Sequence, residues 1–216
     1  METNTPKSGA PSLALLTLIA EQLLKIKAVF LRPQDPFTWA SGIKSPIYCD
    51  NRIILSYPES RTIVENAIAE TVRNEYPECE ALMGTSTAGI AHAAIAATIL
   101  GMPMGYVRGS AKDHGRGNQI EGRLEKGQKV VVIEDLISTG GSCIDVVNTL
   151  REAGAEVLGI VSIFTYGLKK GIERLREANV RNVSLTDFDT LINVAADNQY
   201  IDKSEIEGLL AFRNNL

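Results

Sequence analysis

The chain has 216 residues and a formal net charge of −4 at pH 7. That length allows one α/β domain with an appendage, and a content of 44% hydrophobic and 22% charged residues is ordinary for a globular protein with a sizeable core. The acidic balance argues against non-specific nucleic-acid binding, so an anionic ligand would need a local basic patch.

The cysteine pattern and the absence of a long apolar run indicate the compartment in which the protein is expected. Cys49, Cys79 and Cys143 are widely spaced and form no C-x-x-C pair. They favour reduced cytoplasmic thiols over a disulfide framework or a zinc site. The apolar run 13–20 is too short to cross a bilayer and is followed by charged residues rather than by a cleavage site. We therefore expect a cytoplasmic protein with no membrane partner.

The N-terminal quarter is predicted to begin with a tail and a helix. Residues 1–11 are polar, with proline and glycine, and are expected to be a disordered lead-in. Apolar residues three and four positions apart then predict a helix from Leu13 to about Leu31, which Pro33 ends. The aromatic and β-branched residues of Phe37–Arg52 predict two short strands outside the main sheet.

The middle of the chain alternates between strand and helix patterns. This alternation predicts a parallel sheet with helices on both faces. The predicted strands are 81–83, 104–107, 130–133, 156–166 and 182–186, and the predicted helices are 58–76, 90–100, 143–153 and 171–178, with a mixed helical tail over 201–212.

The most informative stretch is KVVVIEDLISTGGS, from Lys129 to Ser142. Four β-branched apolar residues predict a strand buried on both faces, and Glu134 and Asp135 follow where that strand is expected to leave the sheet. Open α/β sheets bind ligands at the carboxyl ends of their strands. The S-T-G-G-S turn then supplies hydroxyls, backbone amides and flexible glycines before a helix, which favours a phosphate.

The two halves of this stretch favour different chemical groups. Carboxylates repel phosphate but accept hydrogen bonds from sugar hydroxyls or lie beside Mg²⁺. A ribose 5-phosphate satisfies both halves. The alternative is an ordinary strand–turn–helix joint in which the glycine pair only makes the turn. The chain has no G-x-x-x-x-G-K-[ST] P-loop, and Ile120 stands where a dinucleotide fingerprint starting at Gly115 needs glycine or alanine.

Two further polar segments add to this hypothesis. Gly84–Gly89 is a second turn of small and hydroxyl-bearing residues between a strand and a helix. The segment 108–122 contains the densest basic cluster, formed by Arg108, Lys112, His114 and Arg116. Its polarity and glycines predict a mobile lid over a charged substrate, with an idle surface loop as the alternative. His92, in an alanine-rich helix, is interpreted as structural rather than catalytic.

These motifs resemble those of the type I phosphoribosyltransferases, and in particular the orotate branch of that family. V-V-V-I-E-D-L-I-S-T-G-G-S resembles the phosphoribosyl pyrophosphate signature, S-G-x-x-S-P-x-Y-x-D resembles the N-terminal hood over the base site, and R-x-x-A-K-D-H-G resembles the family's mobile loop. The resemblance implies an α/β fold with a mainly parallel central sheet, flanking helices and a small hood. It implies a single domain over 12–216 that includes the hood at about 12–57.

The resemblance also implies a reaction and a set of site residues. The reaction is transfer of the 5-phosphoribosyl group from phosphoribosyl pyrophosphate to orotate, giving orotidine 5'-monophosphate and pyrophosphate in UMP biosynthesis, with Mg²⁺ held mainly by the substrate. The implied catalytic residues are Lys112, His114, Arg108 and Asp135. The implied phosphoribosyl pyrophosphate contacts are Glu134, Asp135, Leu136, Ile137, Ser138, Thr139, Gly140, Gly141 and Ser142, together with Arg108, Lys112, His114, Thr85, Ser86 and Thr87. The implied orotate contacts are Ser138, Lys44, Tyr48 and Cys49.

The family pattern further implies a homodimer in which loop 108–122 completes the neighbouring site, and no nucleic-acid partner. Ala40, Ala88 and Gly109 stand where many members have lysine, and Lys44 is expected to compensate in part. Two alternatives remain: a regulator that senses phosphoribosyl pyrophosphate without catalysis, and an enzyme of the same fold that uses another base.

Overall fold

The computed structural model describes residues 11–38, 44–109 and 119–216. In these ranges the strands are β1 (Val29–Leu31), β2 (Phe37–Thr38), β3 (Lys44–Ser45), β4 (Ile47–Cys49), β5 (Ala81–Thr85), β6 (Met104–Val107), β7 (Ile120–Glu121), β8 (Lys129–Ile137), β9 (Glu156–Thr165) and β10 (Asn182–Asp187). The helices are α1 (Leu13–Lys25), α2 (Pro58–Glu75), α3 (Ala88–Leu100), α4 (Gly141–Glu152), α5 (Lys169–Glu177), α6 (Phe188–Asp197) and α7 (Ile206–Asn214), with short 3₁₀ turns at Asn51–Ser56 and Lys203–Glu205.

A six-stranded sheet forms the centre of the described residues, in the order β10-β9-β8-β5-β6-β7. Neighbouring strands pair in parallel except for β6 and β7, which are antiparallel. The predicted α/β fold with a mainly parallel sheet is therefore confirmed. None of the helices in the described ranges is long and apolar enough to cross a membrane.

Strand β8 is buried on both faces, as its run of β-branched residues predicted. Val131 and Ile133 belong to a hydrophobic cluster with side chains of α1, α2, α3 and α6. Val130 and Val132 point to the opposite face and pack with side chains of α4. Because side chains alternate along a strand, this one run supplies both cores. Burial on both sides fixes the position of β8, and hence of the polar residues that follow Ile133.

The predicted first helix was wrong in its C-terminal part. α1 ends at Lys25 because Lys27 has a left-handed φ of 57°, and the amides of Lys27 and Ala28 bond to carbonyls of the last turn. Residues Val29–Leu31 instead form β1, which pairs antiparallel with β4. Their β-branched and aromatic side chains favour a strand, whereas their spacing also fits a helix. The sequence pattern alone therefore could not distinguish the two.

The C-terminal region also departs from the prediction. The helix α6 was missed because it begins at Phe188, directly after the last residue of β10, without a turn to mark the boundary. Asp187 ends the strand and caps the helix, since its Oδ1 accepts a hydrogen bond of 2.8 Å from the amide of Thr190. The predicted tail helix is a 3₁₀ turn followed by α7, and α3, α4 and α5 begin two residues earlier than predicted.

The segment Phe37–Arg52 lies outside the main sheet, as predicted, but its described part holds three short strands and not two. β2 pairs antiparallel with β3, and β1 with β4. The prediction of a disordered lead-in falls outside the described residues except for Pro11.

Candidate active site

Two helix N-termini and the end of β8 border one cavity of about 290 Å³. The first turns of α3 and α4 both lack a side-chain cap and an acidic residue. By contrast, Ser12 caps α1 and Asp187 caps α6 through side-chain oxygens. Uncapped helix N-termini present free N–H groups and a positive dipole end, so this cavity favours an anion with two separate charged groups.

The cavity brings together most of the residues predicted to bind phosphoribosyl pyrophosphate. It is lined by Ser86, Thr87, Ala88, Glu134, Asp135, Leu136, Ser138, Thr139, Gly140, Gly141, Ser142 and Cys143. Ile137 is the exception within the signature, because its side chain is buried in the core on the α4 side of the sheet.

The two acids lie within β8 and not beyond its end, which corrects the sequence interpretation. Glu134 is in register with Ser162 of β9, and the strand continues to Ile137. Glu134 is 7% exposed, and its Oε1 accepts hydrogen bonds from Thr85 Oγ1 at 2.8 Å and from the amide of Asp135 at 2.9 Å. Thr85 is thus engaged with the protein and does not point freely into the cavity.

The environment of Glu134 alters its protonation. Burial, followed by the hydrogen bond and charge of Asp135, raises the pKa of Glu134 to about 8. The same environment favours the neutral form of Glu134 in the free protein. Asp135 is half-buried and lines the cavity, so it is the more accessible of the two acids.

A buried side chain of the core, Cys143, supports the S-T-G-G-S turn. Gly140 has a left-handed φ of 73°, which a residue with a side chain rarely adopts. The Cys143 thiol donates a hydrogen bond of 3.1 Å to the Gly140 carbonyl, and burial raises the pKa of this thiol to about 12. Cys143 therefore supports the turn as a neutral thiol and does not act as a nucleophile.

The turn Gly84–Gly89 packs closely against β8 at Gly89. A Cβ on Gly89 would overlap the carbonyl oxygen of Ile133 and lie 2.5 Å from Thr85 Oγ1. Only glycine lets the start of α3 approach β8 this closely. Ser86 Oγ donates to the Val107 carbonyl at 2.5 Å, and the peptide bond between Ser86 and Thr87 is cis.

Arg108 lies beside this cavity. It lines an adjoining cavity of about 170 Å³ together with Thr85 and Ser86. Its Nη1 is 3.5 Å from Glu121 Oε1. Lys112 and His114, the other two predicted cationic contacts, lie outside the described residues.

Of the predicted orotate contacts, only Ser138 lines the main cavity. Lys44 Nζ donates to Thr38 Oγ1 at 2.8 Å, and the Tyr48 ring packs 5.8 Å from that of Phe37. Cys49 Sγ lies 3.3 Å from Asn51 Oδ1.

Asn51 is a residue that the sequence interpretation missed. Its side chain is 1% exposed, and its Nδ2 donates a hydrogen bond of 2.7 Å to the backbone carbonyl of Asp135. Asn51 therefore joins the hood strand β4 to the acid pair in β8. No sequence signal marks it, because its partner is 84 residues away.

His92 lies fully buried on α3, as expected for a structural residue. Its Nδ1 is 2.6 Å from Oε1 of Glu65 on α2, and burial raises the pKa of Glu65. This pair fastens α3, whose first turn borders the cavity, to α2.

Comparison with known proteins gives a consistent result. The family model described as "Phosphoribosyl transferase domain" matches residues 51–196. A protein of Listeria innocua named orotate phosphoribosyltransferase is 56% identical over 197 residues, covering 91% of this chain and 94% of that protein. A protein of Bacillus cytotoxicus with the same name is 57% identical over the same length and coverage. The crystal structure of orotate phosphoribosyltransferase from Aeropyrum pernix is similar with a TM-score of 0.73 at 30% identity, covering 85% of this chain and 99% of that one.

Proposed function

The chain belongs to the orotate phosphoribosyltransferases of the phosphoribosyl transferase domain family, and from this premise we propose how its residues perform the reaction. The enzyme transfers the 5-phosphoribosyl group of phosphoribosyl pyrophosphate to orotate. The products are orotidine 5'-monophosphate, an intermediate of UMP biosynthesis, and pyrophosphate.

The observation that carries the proposal is the position of the acid pair between two uncapped helix N-termini. α4 offers N–H groups to the ribose 5-phosphate, and α3 offers them to the pyrophosphate. Asp135 lies between the two and accepts hydrogen bonds from the ribose hydroxyls. A substrate with a phosphate, a diol and a diphosphate in this order matches the cavity.

The reaction develops positive charge on the ribose and negative charge on the leaving group. Asp135 stabilises the positive charge, and Glu134 fixes the backbone of Asp135 through its hydrogen bond to that amide. Arg108, Lys112 and His114 stabilise the departing pyrophosphate. Loss of one preorganised contact of this kind costs on the order of 3 kcal/mol, which is about a hundredfold in rate.

Mg²⁺ is proposed to be held mainly by the substrate. The described residues contain no group of three or more His, Cys, Asp or Glu side chains that could bind a metal ion. Asp135 is the available carboxylate, since Glu134 is occupied by Thr85 and by a backbone amide. When bound, Mg²⁺ neutralises charge on the pyrophosphate.

Orotate recognition is assigned to Ser138 and the hood. Ser138 lines the cavity beside the ribose position and is proposed to donate to the orotate carboxylate. Cys49 on β4 lies 3.3 Å from Asn51 Oδ1, and Asn51 donates to the backbone carbonyl of Asp135, which supports a position of Tyr48 and Cys49 near the ribose site. Lys44 is proposed as an additional cationic contact.

We further propose a cytoplasmic homodimer in which loop 108–122 of one subunit completes the site of the other, without a nucleic-acid partner. The single domain spans 12–216 with its hood at about 12–57. Three free cysteines are compatible with a reducing compartment.

An assay of orotate absorbance tests the function directly. With phosphoribosyl pyrophosphate and Mg²⁺, orotate should be consumed, while adenine, hypoxanthine and uracil should not react. Turnover with one of the other bases alone, or binding of phosphoribosyl pyrophosphate without turnover, would contradict the assignment.

A further inference from the structure

One face of α5 packs against the S-T-G-G-S turn. A Cβ on Gly171 would overlap the carbonyl oxygen of Ser138, and Leu175 lies 3.7 Å from where a Cβ of Gly140 would be. Gly171 and Leu175 are four positions apart on α5 and therefore lie on the same side of the helix. The first turns of α5 thus pack against the S-T-G-G-S turn, and no sequence pattern had connected these two segments.

Arg174 lies on the same face of α5, three residues after Gly171. Its Nη1 is 3.6 Å from where a Cβ of Gly141 would be, and Gly141 is the first residue of α4. In the described part of the chain, no hydrogen bond or ion pair engages the Arg174 side chain. An exposed guanidinium with no protein partner thus stands beside the turn that is proposed to hold a phosphate.

We infer that Arg174 binds the 5-phosphate of the substrate from outside the turn. This inference rests on the proposed function, which places that phosphate at Thr139–Ser142. The turn itself provides amides and hydroxyls but no cation, and Glu134 and Asp135 line the same cavity. A guanidinium next to Gly141 offsets these acids and can donate two hydrogen bonds to phosphate oxygens.

The kinetic signature of this contact differs from that of a catalytic residue. The 5-phosphate does not change during the reaction, so a contact to it strengthens ground state and transition state alike. Its loss should raise the KM for phosphoribosyl pyrophosphate and leave kcat almost unchanged. Because Arg174 is exposed, the contribution should also weaken as salt concentration rises.

The inference is tested by measuring two competing ligands, ribose 5-phosphate and pyrophosphate, on variants of Arg174. In Arg174→Ala, the inhibition constant of ribose 5-phosphate and the KM for phosphoribosyl pyrophosphate should rise about tenfold, with kcat within about twofold of wild type. The inhibition constant of pyrophosphate, which occupies the other turn, should not change. Arg174→Lys should recover part of the loss, because it keeps the charge but not the paired donors.

The matched control is Arg176→Ala, which removes an exposed arginine from the same helix about 200° further round its axis. This variant should behave as wild type with both ligands. The inference fails if Arg174→Ala matches the control, or if it weakens ribose 5-phosphate and pyrophosphate equally. Failure of the proposed function looks different, because then the wild-type protein itself would not consume orotate; titration calorimetry with ribose 5-phosphate would still report on Arg174.

Discussion

Glu134 combines burial with an adjacent carboxylate, and this makes the stability of the unliganded protein depend on pH. Its pKa in the folded protein is about 8, above the value of 4.5 for a free side chain, so between these values the folded state binds more protons than the unfolded state. The Glu134 contribution is therefore fully present at low pH and is lost as pH rises towards and through 8. Raising the pH from 6 to 9 removes on the order of 3 kcal/mol of this contribution.

Glu134→Gln should remove this dependence, because the amide keeps the Oε1 acceptor and cannot ionise. Thermal unfolding of both proteins at pH 6 and pH 9 measures it. The wild type should lose about 5–10 °C more than Glu134→Gln on going to pH 9. Equal losses in the two proteins would show that Glu134 is already ionised at pH 6.

Asn51 hydrogen-bonds the backbone of Asp135, and its replacement should affect both stability and catalysis. Asn51→Ala leaves the Asp135 carbonyl without its donor and should cost about 1–3 kcal/mol of unfolding free energy. We also expect kcat/KM to fall about tenfold for both substrates, because Asp135 and the hood lose their common support.

The control for Asn51 is Gln22→Ala, which removes another buried amide. Gln22 Oε1 accepts a hydrogen bond of 2.9 Å from Ser60 Oγ at the contact between α1 and α2, away from the cavity. Steady-state kinetics and denaturant unfolding of both variants should give similar stability losses but reduced turnover only in Asn51→Ala. Normal kinetics in Asn51→Ala would mean that the bond is structural alone.

At the scale of elements, the prediction succeeded where apolar periodicity and turn residues agreed. The five central strands and α2 to α5 follow from such runs, and their ends were correct to within about two residues, apart from the C-terminal extension of β8. Errors arose where one pattern fits two structures, as in Val29–Leu31, or where no turn separates strand from helix, as at Asp187. The extension of β8 through the acid pair was not predictable, because it depends on pairing with β9.

The contact of α5 with the S-T-G-G-S turn leads to a prediction about Gly171. An alanine there would overlap the Ser138 carbonyl, which belongs to backbone and cannot rotate away. Either α5 or the turn must move, at a cost of about 1–3 kcal/mol. Gly171→Ala should therefore raise the KM for phosphoribosyl pyrophosphate and lower the melting temperature.

Gly208→Ala provides the comparison for this substitution. Gly208 lies within α7, where a Cβ would meet nothing within 4 Å. Alanine there should leave kinetics unchanged and stabilise the helix by up to about 1 kcal/mol. If both variants kept wild-type kinetics, the packing of α5 would not control the turn.

At the scale of the whole molecule, the site is assembled from segments far apart in the chain. The sequence identified the two turns and the acid pair separately, and pairing of β5 with β8, with Gly84 opposite Ile133, brings them to one cavity. The roles of Asn51 and Arg174 could not be predicted, because they depend on side chains reaching across the fold.

The proposed sharing of sites between subunits can be tested by combining two inactive variants. Lys112→Ala damages the loop, and Asp135→Asn damages the cavity; each alone should lower kcat by about a hundredfold or more. In a heterodimer with shared sites, one site contains both substitutions, and the other combines an intact cavity with an intact loop. Co-expression with two different tags, followed by purification on both, isolates this species, which should have about half of the wild-type activity.

If each loop serves its own subunit, both sites carry one defect and the heterodimer remains inactive. Failure to recover any doubly tagged protein would contradict the homodimer itself.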